Sequence, residues 1–196
     1  MEVGSKLDPE REQTILGATL ELLAETGYEA LRLDAVASRA KASKATLYRH
    51  WPGKPELVVS AVKCYEQIDL TKAADTGSLR GDLLVTLAGI RDIMSGTTGQ
   101  LMAGLLVALQ KDPELARAVR GTMLEDKQQV IAQVLERAIA RGELPADTDP
   151  AIFPEIAPAT LFMRIFVHGE PVDEEFLTHL TDDILIPLMA RRRSAP

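Results

Sequence analysis

The chain has 196 residues, of which 46% are hydrophobic and 26% charged, and its formal net charge is −7. Such a composition is that of one folded domain, or one domain with a small module, and it argues against an extensively disordered chain. No apolar run approaches the roughly 18 residues that span a bilayer. The first residues lack the apolar core of a secretory signal, and a single cysteine, Cys64, excludes an internal disulfide. We therefore expect a cytoplasmic protein.

Apolar residues recur at helical spacing along nearly the whole chain, which predicts an all-α fold with about nine helices. Asp8-Pro9 has the pattern of a helix cap followed by proline at the first helical position, and Gly27 suits the end of that helix. A second, short helix is predicted from about Leu33 to Ala40.

The next stretch, SKATLYRHWPGK, predicts a third helix of about two turns. Ser43 would cap it, and Pro52-Gly53 would stop it near Trp51. Lys54 would start a fourth helix. Two short helices joined by the tight turn 40–43 form the helix-turn-helix layout, whose second helix enters the major groove of DNA.

The helix-turn-helix domain is predicted to cover residues 1–55, with the fourth helix, about 54–70, connecting it to a second helical domain of residues 71–196. A polar break near 71–78 marks the junction. Helical segments of the second domain are predicted near 79–95, 99–110, 113–141, 149–167 and 173–190.

Positive charge is concentrated in the helix-turn-helix. Between Leu31 and Lys54 the chain carries six Lys or Arg residues and one acid, Asp34. A cationic patch on an acidic protein suits a polyanion, although charge alone leaves open a solvated face without a partner. The candidate DNA-binding residues are Arg32, Lys41, Ser43, Lys44, Ala45, Thr46, Tyr48, Arg49, His50 and Lys54.

Individual side chains in this set have distinct chemistry. The Tyr48 hydroxyl can donate to a phosphate, and Lys44 can reach a guanine edge or a phosphate. Lys54 lies at a helix N-terminus, where free backbone N–H groups also favour phosphate. Leu47 and Trp51, four residues apart, are interpreted as packing the third helix onto its module, although a contact role for Trp51 stays open.

Two longer patterns carry a family resemblance: RxxxILxAxxxLLxExGY from Arg11 to Tyr28, and LDAVASRAKASKATLYRHWPGKPEL from Leu33 to Leu57. Together they resemble the DNA-binding domain of the TetR family of bacterial transcriptional regulators. The resemblance implies a ligand-responsive regulator, above all a repressor that binds a pseudo-palindromic operator as a homodimer. An activator, a ligand-independent repressor of the same fold, and a helical adaptor that binds an acidic protein are the alternatives.

The helix-turn-helix departs from the family pattern at two positions. Lys41 stands where the family usually has glycine; if it is left-handed, the strain is on the order of 1 kcal/mol. Arg32 stands where the family often has a threonine that caps the second helix, and losing that cap would cost about 1 kcal/mol. Both changes add positive charge to the predicted DNA face.

The C-terminal half is expected, from the resemblance, to form an effector cavity and a dimer interface, although the same apolar residues could be plain core. For a small, mostly apolar effector the candidates are Met94, Leu101, Met102, Leu105, Leu106, Met123, Phe162 and Phe166. For the dimer interface they are Ile156, Ala159, Met163, Phe176, Leu180, Ile184 and Leu188.

Other chemistry finds little support in the sequence. No residues have the spacing of a metal site, a phosphate loop or a catalytic nucleophile, so no enzyme, metal or cofactor is predicted. Arg164, inside an apolar run, is interpreted as a paired structural residue rather than an anchor for an acidic ligand. Cys64 is interpreted as buried and structural rather than as a redox switch.

Overall fold

The computed structural model describes residues 7–64, 73–121 and 125–191. Every regular element in these ranges is helical, which confirms the all-α fold. Within the same ranges, no helix combines the length and apolar character that crossing a bilayer requires.

The first three helices and the start of the fourth lie close to their predicted bounds, whereas the predicted end of the fourth, near residue 70, lies outside the described residues. Helix α1 spans Pro9–Ala30, α2 Leu33–Arg39, α3 Lys44–His50 and α4 Lys54–Cys64. The path of α1 breaks at Gly27, whose φ of 73° lies in the left-handed region that glycine adopts without strain. The predicted end of the first helix is therefore confirmed, and a last turn follows it.

The later helices continue in the order of the sequence. Helix α5 spans Leu79–Ser95, α6 Thr97–Lys111, α7 Pro113–Val119 and α8 Glu125–Ala140. Helix α9 is α-helical over Ile152–Phe162 and π-helical over Met163–His168, whereas α10 runs through Glu174–His179, a π-helical Leu180–Leu185 and Ile186–Met189.

Two helices of the structure lie within one predicted segment, 113–141. Helix α7 ends at Val119 and α8 begins at Glu125, with residues 122–124 outside the described ranges. The predicted continuity of the segment across residues 122–124 stays a prediction.

The chain forms two compact units, residues 1–66 with 100–123 and residues 67–99 with 124–196. The first unit contains α7 and most of α6 as well as α1 to α4, because Leu105 and Leu115 are fully buried in the same core as Ile15, Leu47 and Leu57. The sequence predicted a boundary between residues 55 and 71. The observed grouping differs, because α7 and most of α6 belong to the same unit as the N-terminal helices.

The second unit has a core of its own, in which Leu83, Val134, Leu161 and Leu185 are fully buried. Its buried acid, Asp82, accepts hydrogen bonds from the backbone N–H (2.6 Å) and hydroxyl (2.8 Å) of Thr76. Because a buried carboxylate without partners would be strongly destabilising, these bonds hold the start of α5 in one conformation.

Adjacent residues of α3 should differ sharply in their contribution to stability. Leu47 is 1% exposed, so Leu47→Ala should lower the free energy of unfolding by about 2–4 kcal/mol through lost burial and a cavity. Tyr48 is 55% exposed, so Tyr48→Ala should change it by less than about 0.5 kcal/mol. Urea denaturation of both variants measures the difference, and equal losses would contradict the assigned orientation of α3.

Candidate nucleic-acid interface

The turn between α2 and α3 is closed by backbone hydrogen bonds around a left-handed Lys41, whose φ is 50°. The Lys41 N–H donates to the Ser38 carbonyl (3.2 Å), and the Ala42 N–H donates to the Ala37 carbonyl (2.8 Å). This pair of bonds is the Schellman arrangement, which usually has glycine at the left-handed residue. The conformation expected for Lys41 is therefore present, and so is its strain.

Arg11, on α1, provides a support that sequence reasoning did not assign. Its guanidinium donates a hydrogen bond to the carbonyl of Lys41. This bond fixes the turn from outside the helix-turn-helix and helps to offset the strain at Lys41. Arg11 is the first residue of the longer motif quoted above, but nothing in its spacing indicates a partner thirty residues away.

Helix α3 is held at both ends. At its start, the Thr46 N–H donates to Ser43 Oγ (3.0 Å), as predicted for a cap, and the two hydroxyls lie 2.8 Å apart. From its middle to its end, Leu47 and Trp51 are 1% and 6% exposed, so both belong to the core. The orientation of α3 is therefore fixed by packing, and its outer face is free to meet a partner.

The outer face of α3 presents three of the predicted side chains. Tyr48 is 55% exposed, and Ala45 and Arg49 are also exposed. His50 is half-buried, and its ring meets the ring of Trp51 edge-on at a centroid distance of 6.0 Å. The face therefore offers a hydroxyl, a small residue and a guanidinium to an incoming ligand.

Lys44, by contrast, already has a partner. Its Nζ lies 2.7 Å from Oδ1 of Asp34 on α2, and both side chains are more than half exposed. The sequence predicted that Lys44 can reach a guanine edge or a phosphate; the structure places a carboxylate beside its ammonium group. Lys44 can meet DNA only by leaving or sharing Asp34.

Lys54 is held inside its own module. Its Nζ donates to the Tyr28 carbonyl (3.0 Å) and lies 4.1 Å from the centre of the Tyr28 ring. The predicted phosphate contact would have to compete with both interactions. The structural role of Lys54 is therefore to join the start of α4 to the end of α1.

Tyr28 extends this connection to α7. Its hydroxyl donates to Oδ2 of Asp112 (2.6 Å), whose Oδ1 accepts from the backbone N–H of Glu114 and of Leu115, both at 3.0 Å. Burial, and then the neighbouring carboxylate, raise the pKa of Tyr28, so that it stays a donor. The same hydrogen bond is the main cause that lowers the pKa of Asp112.

The six cations of the segment therefore divide into two groups. Arg39 forms a two-pronged ion pair with Glu25 (2.8 and 2.9 Å), while Lys44 and Lys54 are held as described above. Within the described part of the chain, the exposed side chains of the other three have no hydrogen bond or ion pair: Arg32, Lys41 and Arg49. These three form the available positive surface.

The predicted effector residues fall in both units. In the first unit, Leu105 is fully buried, Leu101 and Met102 pack against the same core, and Leu106 is 43% exposed. In the second unit, Met94 packs against the core, and the rings of Phe162 and Phe166 meet at 4.9 Å. Met123 lies outside the described residues. The candidates are thus divided between the two units, and a single effector site that contains them all stays a prediction.

The predicted dimer-interface residues differ in exposure. Ala159 and Met163 are exposed, and Leu180 is fully buried in the core of its own unit, where no partner chain can reach it. Val167, which the sequence analysis did not select, is 58% exposed and lies four residues beyond Met163. The remaining four are half-buried: Ile156, Phe176, Ile184 and Leu188.

Two other interpretations can be compared with the structure. Arg164 donates to the Pro171 carbonyl (2.8 Å), pairs with Glu170 (3.0 Å) and lies over the ring of Phe176 (4.1 Å), as expected of a structural arginine. Cys64 is exposed, so its interpretation as a buried residue is wrong. It lies on α4 and is the last residue that the structure describes before the gap at 65–72.

Two family models match the chain. Residues 15–61 match "Bacterial regulatory proteins, tetR family", and residues 73–184 match "Tetracyclin repressor-like, C-terminal domain". The DNA-binding transcriptional repressor TetR of Mycobacteroides abscessus is 32% identical over 179 residues, or 91% of this chain and 94% of that protein. The repressor KstR of Mycolicibacterium smegmatis is 31% identical, covering 99% of this chain and 84% of that protein.

Solved structures agree with these matches. The TetR family transcription regulator SCO0332 is 31% identical and superposes with a TM-score of 0.68, covering 90% of this chain and 97% of that one. FadR from Bacillus subtilis, solved in complex with stearoyl-CoA, shares the fold at 17% identity and a TM-score of 0.62, with the same coverage.

Substitutions of Lys41 should separate backbone strain from charge. Lys41→Gly relieves the left-handed strain and should raise the free energy of unfolding by about 0.5–1 kcal/mol. Lys41→Ala keeps the strain and should show no such gain. Both lose one positive charge and should weaken binding to DNA equally. Thermal unfolding and fluorescence anisotropy measure the two effects, and equal stability of the two variants would show that the turn is unstrained.

Tyr28→Phe should reveal the hydrogen bond to Asp112 through its pH dependence. At pH 7 the variant should be less stable by about 1–2 kcal/mol. The folded pKa of Asp112 is lowered, so this contribution is complete above the ordinary aspartate value and is lost as the pH falls through the folded one. The difference from the parent protein should thus shrink below about pH 4.

Urea denaturation at several pH values makes this comparison. Tyr48→Phe is the matched control, since Tyr48 is exposed and should show no such trend. A difference between Tyr28→Phe and the parent that stays constant into acid would mean that Asp112 does not stabilise the fold through this bond.

Proposed function

This chain belongs to the TetR family of bacterial regulatory proteins, and we propose that it is a cytoplasmic repressor that binds a pseudo-palindromic operator as a homodimer and responds to a small, mostly apolar effector. Residues 1–55 would contact DNA, α4 would connect, and residues 71–196 would bind the effector and dimerise. Two of its relatives, from Mycobacteroides abscessus and Mycolicibacterium smegmatis, bear the name of transcriptional repressors.

The observation that carries the proposal is the construction of α3. Its inner side is buried through Leu47 and Trp51, and its outer side leaves Tyr48 more than half exposed beside Arg49. A helix fixed on one side and polar and cationic on the other is what insertion into a major groove requires. Arg32 and Lys41 flank it, where they would meet the phosphates on either side of the groove.

Dimerisation through the second unit is supported by the exposed apolar side chains of α9. Met163 is 45% exposed and Val167 58%, and Ala159 precedes them at helical spacing. Large apolar side chains exposed together indicate a surface that another chain covers. Leu180 would stabilise this region from within its own unit rather than touch the partner.

The effector is proposed to lie in the second unit, where Met94, Phe162 and Phe166 combine adaptable and aromatic apolar surface. The solved FadR of similar fold holds stearoyl-CoA. An effector acts only if it binds the DNA-free state more tightly than the DNA-bound state.

A route to the DNA-binding helices exists within the first unit. Asp112 caps α7 and accepts from Tyr28, and the Tyr28 carbonyl accepts from Lys54 at the start of α4. A displacement of the corner between α6 and α7 would therefore act on α1 and α4 together. We propose this chain of bonds as the final step of the response.

Binding to the promoter DNA next to the gene for this protein tests the function. Anisotropy titrations should show operator affinity at least about a thousandfold above that for a scrambled duplex, with a steep dependence on salt. Tyr48→Phe should weaken both duplexes alike, because a hydroxyl that contacts phosphate carries no sequence information. Equal affinity for both duplexes in the parent protein, without salt dependence, would favour the adaptor instead.

A further inference from the structure

The one acid of the cationic segment lies against the first residue of the recognition helix. Asp34 belongs to the first turn of α2, and its Oδ1 is 2.7 Å from Nζ of Lys44. The two side chains are 52% and 60% exposed, so water and a ligand reach both.

This ion pair is not needed to hold the fold together. Exposed pairs of this kind add little to stability, and α3 is already fixed by the Ser43 cap and by buried Leu47 and Trp51. The effect of Asp34 therefore falls mainly on the charge that α3 presents to DNA.

We propose that Asp34 is a selectivity residue, which withholds the Lys44 ammonium from phosphates in non-specific complexes and releases it to a base edge in the operator. This inference rests on the proposed function, because it assumes an operator. Any duplex offers phosphates, but only the right sequence offers an acceptor pair such as O6 and N7 of guanine at the position that Lys44 reaches.

The physical reason lies in how non-specific binding arises. Non-specific binding comes almost entirely from Lys and Arg side chains that replace the counterions of the phosphates. Each such side chain adds about 0.9 to the steepness with which log affinity falls against log salt concentration. When Asp34 neutralises Lys44, the lysine adds little to this non-specific affinity, and the Asp34 carboxylate itself repels phosphate. In the operator complex the base edge takes the place of the carboxylate, so Lys44 contributes there and not elsewhere.

The test compares Asp34→Asn with the parent protein on two duplexes, a sequence selected by the parent protein from a random library and a scrambled duplex of the same composition. Asp34→Asn should raise the affinity for scrambled DNA by about tenfold or more per dimer near 0.15 M salt, and steepen its salt slope by about one per subunit. Affinity for the selected duplex should rise less, so that the ratio of selected to scrambled affinity falls.

Three controls separate selectivity from net charge and from folding. Asp34→Glu keeps the carboxylate and should retain most of the parent ratio. Glu114→Gln removes an exposed acid on α7 that is absent from the interface, and it should leave the ratio unchanged. In a Lys44→Ala background, Asp34→Asn should lose most of its effect on the ratio, since the coupling between the two residues is what a double-mutant cycle measures.

The outcomes are distinct. A parent protein that selects no sequence overturns the proposed function itself. A parent protein that selects a sequence, together with Asp34→Asn raising both affinities by the same factor, overturns the selectivity role alone, as does an effect that persists undiminished without Lys44. Because the pair is exposed, circular dichroism of Asp34→Asn should match the parent, and Asp34→Glu provides the comparison if it does not.

Discussion

Tyr28 is the residue on which the arrangement of the DNA-binding helices depends. Gly27, with its positive φ, breaks α1 so that Tyr28 turns back into the unit, where it is 5% exposed. Its carbonyl and ring hold Lys54 at the start of α4, and its hydroxyl holds Asp112 at the start of α7. One residue, through its side chain and its backbone carbonyl, thus helps to set the relative positions of three helix ends. Since α3 is joined to α4 by three residues, its outer face is positioned through the same contacts.

The proposed DNA face has fewer available positive charges than its sequence suggests. Acids or internal contacts occupy Arg39, Lys44 and Lys54, and Arg32, Lys41 and Arg49 remain available. A protein that searched DNA with all six cations free would bind any sequence more tightly. Discrimination between sequences is a difference of affinities, so reducing the general attraction serves it as well as adding specific contacts does.

Local rules predicted the parts of this structure that depend on neighbours in the chain. Ser43 as a cap, Gly27 at the end of a helix, and Leu47 and Trp51 in the core each follow from residues within one or two turns. Contacts between distant residues had no such signal: Tyr28 and Asp112 are 84 positions apart. The same holds for the place of α6 and α7 in the first unit, which is set by which apolar faces meet, and periodicity shows only that a face is apolar. The exposure of Cys64 likewise depends on which distant parts of the chain pack against α4.

The left-handed lysine in the turn between α2 and α3 also affects how such a regulator can evolve. A glycine there would give a more stable turn with one charge fewer, whereas the present lysine gives a more strained turn and, in the proposed DNA complex, a stronger attraction to phosphate. Stability and affinity therefore move in opposite directions at this single position. The Arg11 bond to its carbonyl widens the range of residues that the turn can tolerate, because it holds the backbone whichever side chain is present. Under the proposed function, substitutions at Lys41 would adjust the strength of repression while leaving unchanged the operator sequence proposed to be read by α3.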